Sequence, residues 1–192
     1  MATQALPYVS PEEYLALDRA AEQRSEYVNG QIYAMAGGTR QHSRICVNTI
    51  ADLSAATRGR CAVYSSDLRL FVEKTSAYFY PDVLATCSAG HAANDLEDTI
   101  TDPQVLIEVT SKSSEAYDRG AKFHHYRNIP SLGDYLIIDQ FRILVEHYSR
   151  QPDGAWLFRE YASPELVIAL PSIGAELNIS GIYRDIEFTS EA

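Results

Sequence analysis

The sequence lacks the features that mark several common protein classes. No run approaches the roughly 20 consecutive apolar residues that a bilayer-spanning helix needs. The first residues have neither the basic nor the apolar section of a secretory signal. The three cysteines are widely spaced without a Cys-x-x-Cys pair, so the sequence predicts reduced structural thiols and no zinc site. Neither a Walker loop nor a dinucleotide fingerprint is present, which argues against ATP or NAD dependence. Together these absences predict a cytoplasmic protein without a membrane partner.

Basic residues are also scarce. The chain has 16 Lys and Arg against 26 Asp and Glu, a formal net charge of −10. This balance opposes indiscriminate attraction to polyanions, so a nucleic acid would have to be met by a local positive surface. Candidate positive groups are Arg40 with Arg44, Arg58 with Arg60, and Lys112 with Arg119, Lys122 and Arg127, although separate charged residues usually form only a solvated face.

What is present is an α/β pattern within one domain of 192 residues, 1–192. Ser10 and Pro11 predict the start of a helix, and Asn29-Gly30 predicts a two-residue hairpin turn within residues 25–35. Further helices are predicted at 40–56 and 115–127, and a surface loop at 90–102. The predicted strands are 62–64, 68–72, 82–86, 104–110, 135–139, 143–148 and 156–161, with the last three forming a β-meander. The resulting class is α/β with a mixed sheet.

Glu108 is the most informative residue because it interrupts an apolar strand. Residues 104–110 read Gln-Val-Leu-Ile-Glu-Val-Thr, which is typical of a strand buried on both faces. An unpaired carboxylate in such a strand is very costly, and no cation lies next to it in the run. Because side chains alternate along a strand, Glu108 shares a face with Leu106 and Thr110. The sequence therefore requires a partner for this acid from elsewhere in the fold.

A second carboxylate opens another apolar strand. Asp82 follows Pro81, and its separation from Glu108 leaves room for a loop that returns to a neighbouring strand. Magnesium takes oxygen ligands, keeps several waters and typically uses one or two protein carboxylates. A divalent cation shared by Asp82 and Glu108 would compensate both acids. The pair predicts a Mg²⁺ site, with Mn²⁺ as a substitute, in a metal-dependent hydrolase.

Phosphodiester hydrolysis develops negative charge that a nearby cation stabilises. The natural position for a lysine is 110, on the face of Glu108, but threonine stands there. On the following predicted helix Lys122 and Tyr126 are four residues apart, so they share a face and Lys122 can reach back towards the strand. Lys112, in a serine-rich turn, is the rival candidate.

Several blocks of the sequence form a set that extends over almost the whole chain. They are Glu26–Gly30, His42, Asp67–Arg69, Pro81–Val83, Ile107–Ser113, Tyr117–Arg127 and Tyr135–Asp139. The most specific of them is Tyr-Asp-Arg-Gly-x-Lys-x-x-x-Tyr-Arg. Together these blocks resemble the bacterial Uma-two family, also called domain of unknown function 820.

This resemblance implies a restriction-endonuclease-like fold, in which a mixed central sheet is flanked by helices and carries additional β-hairpins. It also implies a variant of the Pro-Asp…(Asp/Glu)-x-Lys nuclease core. By position, Asp82 and Glu108 are then the metal ligands, Lys122 is the displaced active-site lysine, and Glu26 is an accessory acid. The implied activity is Mg²⁺-dependent hydrolysis of phosphodiester bonds in DNA, by a homodimer.

Other interpretations of these residues stay open at this stage. Asp82 and Glu108 could form structural ion pairs, Lys122 could be a solvated helix residue, and Glu26 could pair with Arg24 or Lys122. A lone helical histidine such as His42 is more often packed or exposed than catalytic. The alternative function is a catalytically inactive nuclease-fold module for nucleic-acid binding or oligomerisation. Metal-free acid–base hydrolysis would explain the acids but not the lysine.

Overall fold

A computed structural model describes residues 8–35, 37–87, 98–111 and 114–188. The helices are α1 (Pro11–Ala20), α2 (Arg40–Thr57), α3 (Glu115–Tyr117), α4 (Phe123–Tyr126) and α5 (Ile179–Ile182). The strands are β1 (Ser25–Val28), β2 (Gln31–Ala34), β3 (Ala62–Ser65), β4 (Arg69–Val72), β5 (Ala77–Phe79), β6 (Val83–Thr86), β7 (Thr99–Ile100), β8 (Val105–Thr110), β9 (Asp134–Asp139), β10 (Val145–Arg150), β11 (Trp156–Tyr161), β12 (Val167–Leu170) and β13 (Ala175–Asn178).

The N-terminal elements form as their local sequence predicts. Ser10 caps α1 through a reciprocal capping box with Glu13, and Pro11 occupies the first turn. Asn29 and Gly30 adopt positive φ angles of 52° and 80°, as the tight turn between β1 and β2 requires. This hairpin joins a five-stranded sheet in the order β2-β1-β5-β4-β7.

The larger sheet has six strands in the order β11-β10-β9-β8-β6-β3. β8 pairs antiparallel with β6 and parallel with β9, so the predicted mixed sheet is confirmed. The predicted meander of β9, β10 and β11 is also confirmed, with both pairs antiparallel. β8 lies in the middle and is buried along its whole length.

Two apolar cores lie on opposite faces of β8. Val105, Ile107 and Val109 face a core that α2, β12, β13 and α5 complete. Leu106 faces a second core that includes Tyr126 of α4 and residues of the smaller sheet. Glu108 lies on the Leu106 face by strand alternation, as the sequence predicts, and therefore points towards the helical segment that follows β8.

That helical segment is divided into three parts. α3 and α4 are separated by a π-helical turn, Asp118–Lys122. The prediction of one regular helix over 115–127 is therefore wrong in detail. π-helical turns recur at functional positions because they alter which side chains share a face. Here the turn contains both Asp118 and Lys122, and both are buried.

Other differences from the sequence predictions concern short strands and cysteines. β5, β7, β12 and β13 were not predicted, and Thr99–Ile100 is a buried strand within what was expected to be a surface loop. The remainder of that loop up to residue 97 lies outside the described residues. Cys61 and Cys87 form a disulfide, so the prediction of reduced thiols is wrong for this pair. They become neighbours because β3 and β6 pair with Ala62 opposite Thr86.

Within the described part of the chain, no helix combines the length and the apolar character that crossing a bilayer demands.

Candidate active site

The pairing of β6 with β8 brings the two candidate metal ligands level. Val83 lies opposite Ile107, and one step further along this register Asp82 lies level with Glu108. Asp82 Oδ2 accepts a hydrogen bond of 2.8 Å from the backbone N–H of Val109. The strand pairing thus positions both carboxylates at the same end of β6.

Lys122 joins this site from the π-helical turn. Its Nζ lies 3.1 Å from Glu108 Oε1, 3.0 Å from Glu26 Oε1 and 3.6 Å from Asp118 Oδ1. Glu26 is contributed by β1, so the hairpin of the smaller sheet completes the cluster. Three acids from three separate chain segments therefore surround one ammonium group, whose side chain is only 9% exposed.

Tyr126 contacts the same Glu108 carboxylate as Lys122. Its hydroxyl donates a 2.7 Å hydrogen bond to Glu108 Oε1, the oxygen that also contacts Lys122. Since Lys122 and Tyr126 are four residues apart, they project from the same side of the helical segment. The predicted approach of this pair to the strand is confirmed.

The charges of the cluster do not balance. Glu26, Glu108 and Asp118 supply three acidic groups against the one ammonium group of Lys122, and Asp82 beside them pairs with His42. Burial raises the pKa of Glu108 well above its usual range, and the neighbouring acids raise it further while Lys122 opposes them. Burial alone would lower the pKa of Lys122, but its three acidic partners outweigh burial and raise it. Burial also raises the pKa of Asp118.

His42 is a site residue whose role the sequence did not indicate. Thr39 caps α2 by accepting a hydrogen bond from the His42 N–H, at 3.1 Å. The imidazole then extends towards β6, where its Nε2 lies 3.1 Å from Asp82 Oδ2. The hydrogen bond with Asp82 raises the pKa of His42 despite partial burial. This contact is compatible with the expected packed residue, and it also brings an imidazole to a candidate metal ligand.

The acids leave oxygen atoms suited to a divalent cation. Among the described residues, the hydrogen bonds to Asp82 all end on Oδ2 and those to Glu108 all end on Oε1. Both side chains can therefore offer carboxylate oxygen to a metal ion. Mg²⁺ prefers carboxylate oxygen and needs only one or two such groups, so the chemistry of these donors fits the ion.

Glu26, Glu108 and Lys122 lie in one ion cluster, and Asp82 lies beside it. Between the two partners considered for Glu26, the structure selects Lys122. Lys112, the rival lysine, lies outside the described residues. Asp118 was missed, although its spacing of four residues from Lys122 was a usable signal.

Comparisons with known proteins give the family. An uncharacterized protein of Synechocystis sp., slr1290, is 38% identical over 185 residues, which cover 95% of each chain. A second Synechocystis protein, sll1609, is 36% identical over 149 residues, which are 77% of this chain and 84% of that protein. The crystal structure of a "putative nuclease belonging to DUF820" from Anabaena variabilis superposes with a TM-score of 0.75. It covers 91% of this chain and 97% of its own, at 17% identity.

The structural match establishes the restriction-endonuclease-like fold. The family model named Uma2, which is described as "Putative restriction endonuclease", matches residues 11–180. The chain therefore belongs to the Uma2 family of this description.

Proposed function

We propose that the protein is a magnesium-dependent endonuclease that hydrolyses phosphodiester bonds in DNA. The observation that carries this proposal is the excess of acidic groups in the buried cluster, where Glu26, Glu108 and Asp118 surround the one ammonium group of Lys122. A buried excess of this kind is costly unless protons or a cation compensate it. A divalent cation offers that compensation, and family membership favours a nuclease among the enzymes that use one.

Each residue has a distinct part in the proposed mechanism. Asp82 and Glu108 would hold Mg²⁺, which would polarise the phosphodiester and lower the pKa of a bound water. Lys122 stays protonated because of its acidic neighbours, so its ammonium group can stabilise the negative charge that develops on the phosphate. Glu26 orients that ammonium group through its 3.0 Å contact. Tyr126 fixes the orientation of Glu108.

The outer face of α2 supports a nucleic-acid substrate. Arg40 and Arg44 are exposed and line an open depression with Gly38 and Ser43. Neither arginine has an ion-pair partner among the described residues, so both charges are available to phosphate. His42, which reaches Asp82, lies between the two arginines in the sequence but on the opposite side of α2, since residues two apart on a helix differ by about 200°. The arginine pair would provide the local attraction that a protein of net charge −10 needs.

Cleavage assays test the proposed activity directly. Purified protein is incubated with single-stranded and double-stranded DNA in the presence of Mg²⁺ or Mn²⁺, beside its Asp82→Ala variant and a matched surface variant, Glu176→Gln. We expect the wild type and Glu176→Gln to cut DNA and Asp82→Ala to lose the activity. Equal rates for the wild type and Asp82→Ala would refute the proposal. Retention of DNA in a gel shift without cleavage would instead support the inactive nuclease-fold module.

We also infer a homodimer. β11 is an edge strand of the six-stranded sheet, and its Leu157 and Phe158 are exposed. An edge strand with apolar side chains is a template for pairing with another chain. Light scattering after size exclusion should give twice the mass of one chain, and the mass of a monomer at micromolar concentration would contradict the inference.

A further inference from the structure

Three metal-binding groups of different chemistry meet at the first turns of α2. Atoms of His42, Cys46 and Asp82 that can act as ligands all lie within 4.8 Å of one another. His42 Nε2 is 3.1 Å from Asp82 Oδ2, and Cys46 Sγ is 3.7 Å from His42 Nδ1. Cys46 is the free cysteine of the described chain, since Cys61 and Cys87 are joined.

The secondary structure explains why these groups meet. His42 and Cys46 are four residues apart in α2, so their side chains share a face of the helix. That face is turned towards the start of β6, where Asp82 stands. Partial burial of all three groups leaves a path from solvent, as the side chains of His42 and Asp82 are 20% and 16% exposed.

We propose that His42, Cys46 and Asp82 form a binding site for a thiophilic divalent cation of the zinc class. Zinc binds imidazole nitrogen, thiolate sulfur and carboxylate oxygen at about 2.0–2.3 Å, so its ligands are about 3.5 Å apart in a tetrahedron. The two observed contacts, 3.1 and 3.7 Å, lie close to that separation. A water completes the fourth position. Magnesium, in contrast, prefers oxygen ligands only and does not favour a thiolate.

Loading the site requires the rotation of a side chain and the release of the thiol proton. A metal ion takes a single ring nitrogen, whereas the two present contacts use different nitrogens of His42. The thiol or the ring must therefore turn to bring all three ligands to one ion. Burial raises the pKa of the Cys46 thiol, and Asp82 and Glu108 raise it further, so the free protein carries the thiol. Binding forms the metal–sulfur bond and releases the thiol proton to solvent.

The shared ligand gives the site a regulatory consequence. Asp82 also belongs to the proposed magnesium site, so an ion held by His42 and Cys46 would remove one of the two carboxylates from that site. Zinc is then an inhibitor of the proposed nuclease. This consequence depends on the proposed function, whereas the binding of the zinc-class ion does not.

Cobalt(II) titration tests the binding itself, because Co²⁺ accepts the same ligands and reports a bound thiolate by charge-transfer absorption in the near ultraviolet. The protein is kept oxidised so that Cys61 and Cys87 stay joined. We expect one Co²⁺ per chain with the thiolate band, loss of the band in Cys46→Ser, and at least tenfold weaker binding in His42→Asn. Stoichiometric Zn²⁺ should abolish the band.

Circular dichroism and thermal melting establish that each variant is folded. Absence of the thiolate band in the wild type, or its persistence in folded Cys46→Ser, would overturn the site. Zn²⁺ should inhibit Mg²⁺-dependent cleavage by the wild type at least tenfold more strongly than cleavage by Cys46→Ser. Equal inhibition would refute the proposal that the two metal sites share Asp82. If the wild type cuts no DNA but shows the band, the nuclease proposal fails and the zinc-class site stands.

Discussion

Replacement of Lys122 by methionine removes the one ammonium group from a cluster of buried carboxylates. The variant keeps the length and apolar stem of the side chain but leaves Glu26, Glu108 and Asp118 without a cation. Removal of one partner from a buried ion pair costs about 3–5 kcal/mol because the remaining charge is uncompensated. Protonation of the already shifted Glu108 should keep the loss within this range.

Urea unfolding provides the measurement. With a slope of about 2–3 kcal/mol per molar, a loss of about 3–5 kcal/mol lowers the unfolding midpoint by about 1–2.5 M. The matched control is Lys74→Met, an exposed lysine for which we expect a change within about 0.5 kcal/mol. In the double variant Lys122→Met with Glu26→Gln, one orphaned charge is gone, so part of the stability should return. Equal midpoints for Lys122→Met and Lys74→Met would refute the buried ion cluster.

Three further predictions concern other parts of the molecule. Burial disfavours the charged form of Asp18, but hydrogen bonds from Tyr80, Arg69 and Ser25 outweigh it and lower its pKa. The stability from this acid is therefore complete above its ordinary pKa of about 3.9 and is lost as the pH falls below that value. In urea unfolding, Asp18→Asn should lower the free energy of unfolding by about 3–5 kcal/mol at pH 7 and by less at pH 3. An equal loss at the two pH values would contradict the lowered pKa of Asp18. Replacing Arg40 and Arg44 by glutamine should lower the slope of log affinity for DNA against log salt by about 2, measured by fluorescence anisotropy; an unchanged slope would exclude phosphate contacts. Reduction of the disulfide that joins β3 to β6 should lower the unfolding free energy by about 2–4 kcal/mol, and identical melting with and without reductant would contradict that contribution.

Local sequence signals account for most of the predicted elements. The capping residues of α1, the Asn29-Gly30 turn and the apolar run of β8 act over a few residues, and each formed as predicted. The short strands β5, β7, β12 and β13 were missed. β1 and β2 are equally short, but the Asn29-Gly30 turn marks them, whereas no such turn joins the missed strands and pairing with other strands stabilises them.

The disulfide also depends on contacts between distant parts of the chain. Cys61 and Cys87 have no informative spacing in the sequence, and only the pairing of β3 with β6 brings them together. His42 is a further case. A histidine in the first turn of a helix has many ordinary roles, and the packing of α2 against β6 decides that it reaches Asp82.

By itself the sequence determined that Glu108 needed a partner, because a carboxylate within a buried strand cannot remain uncompensated. It also indicated the compensation, a divalent cation shared with Asp82 and the ammonium group of Lys122. Only the tertiary structure decided that Glu26 and Asp118 crowd the same ammonium group and that His42 and Cys46 approach Asp82. The physical reason is that contacts between β1, α2, β6 and the π-helical turn depend on how separate elements pack, which local propensity does not encode.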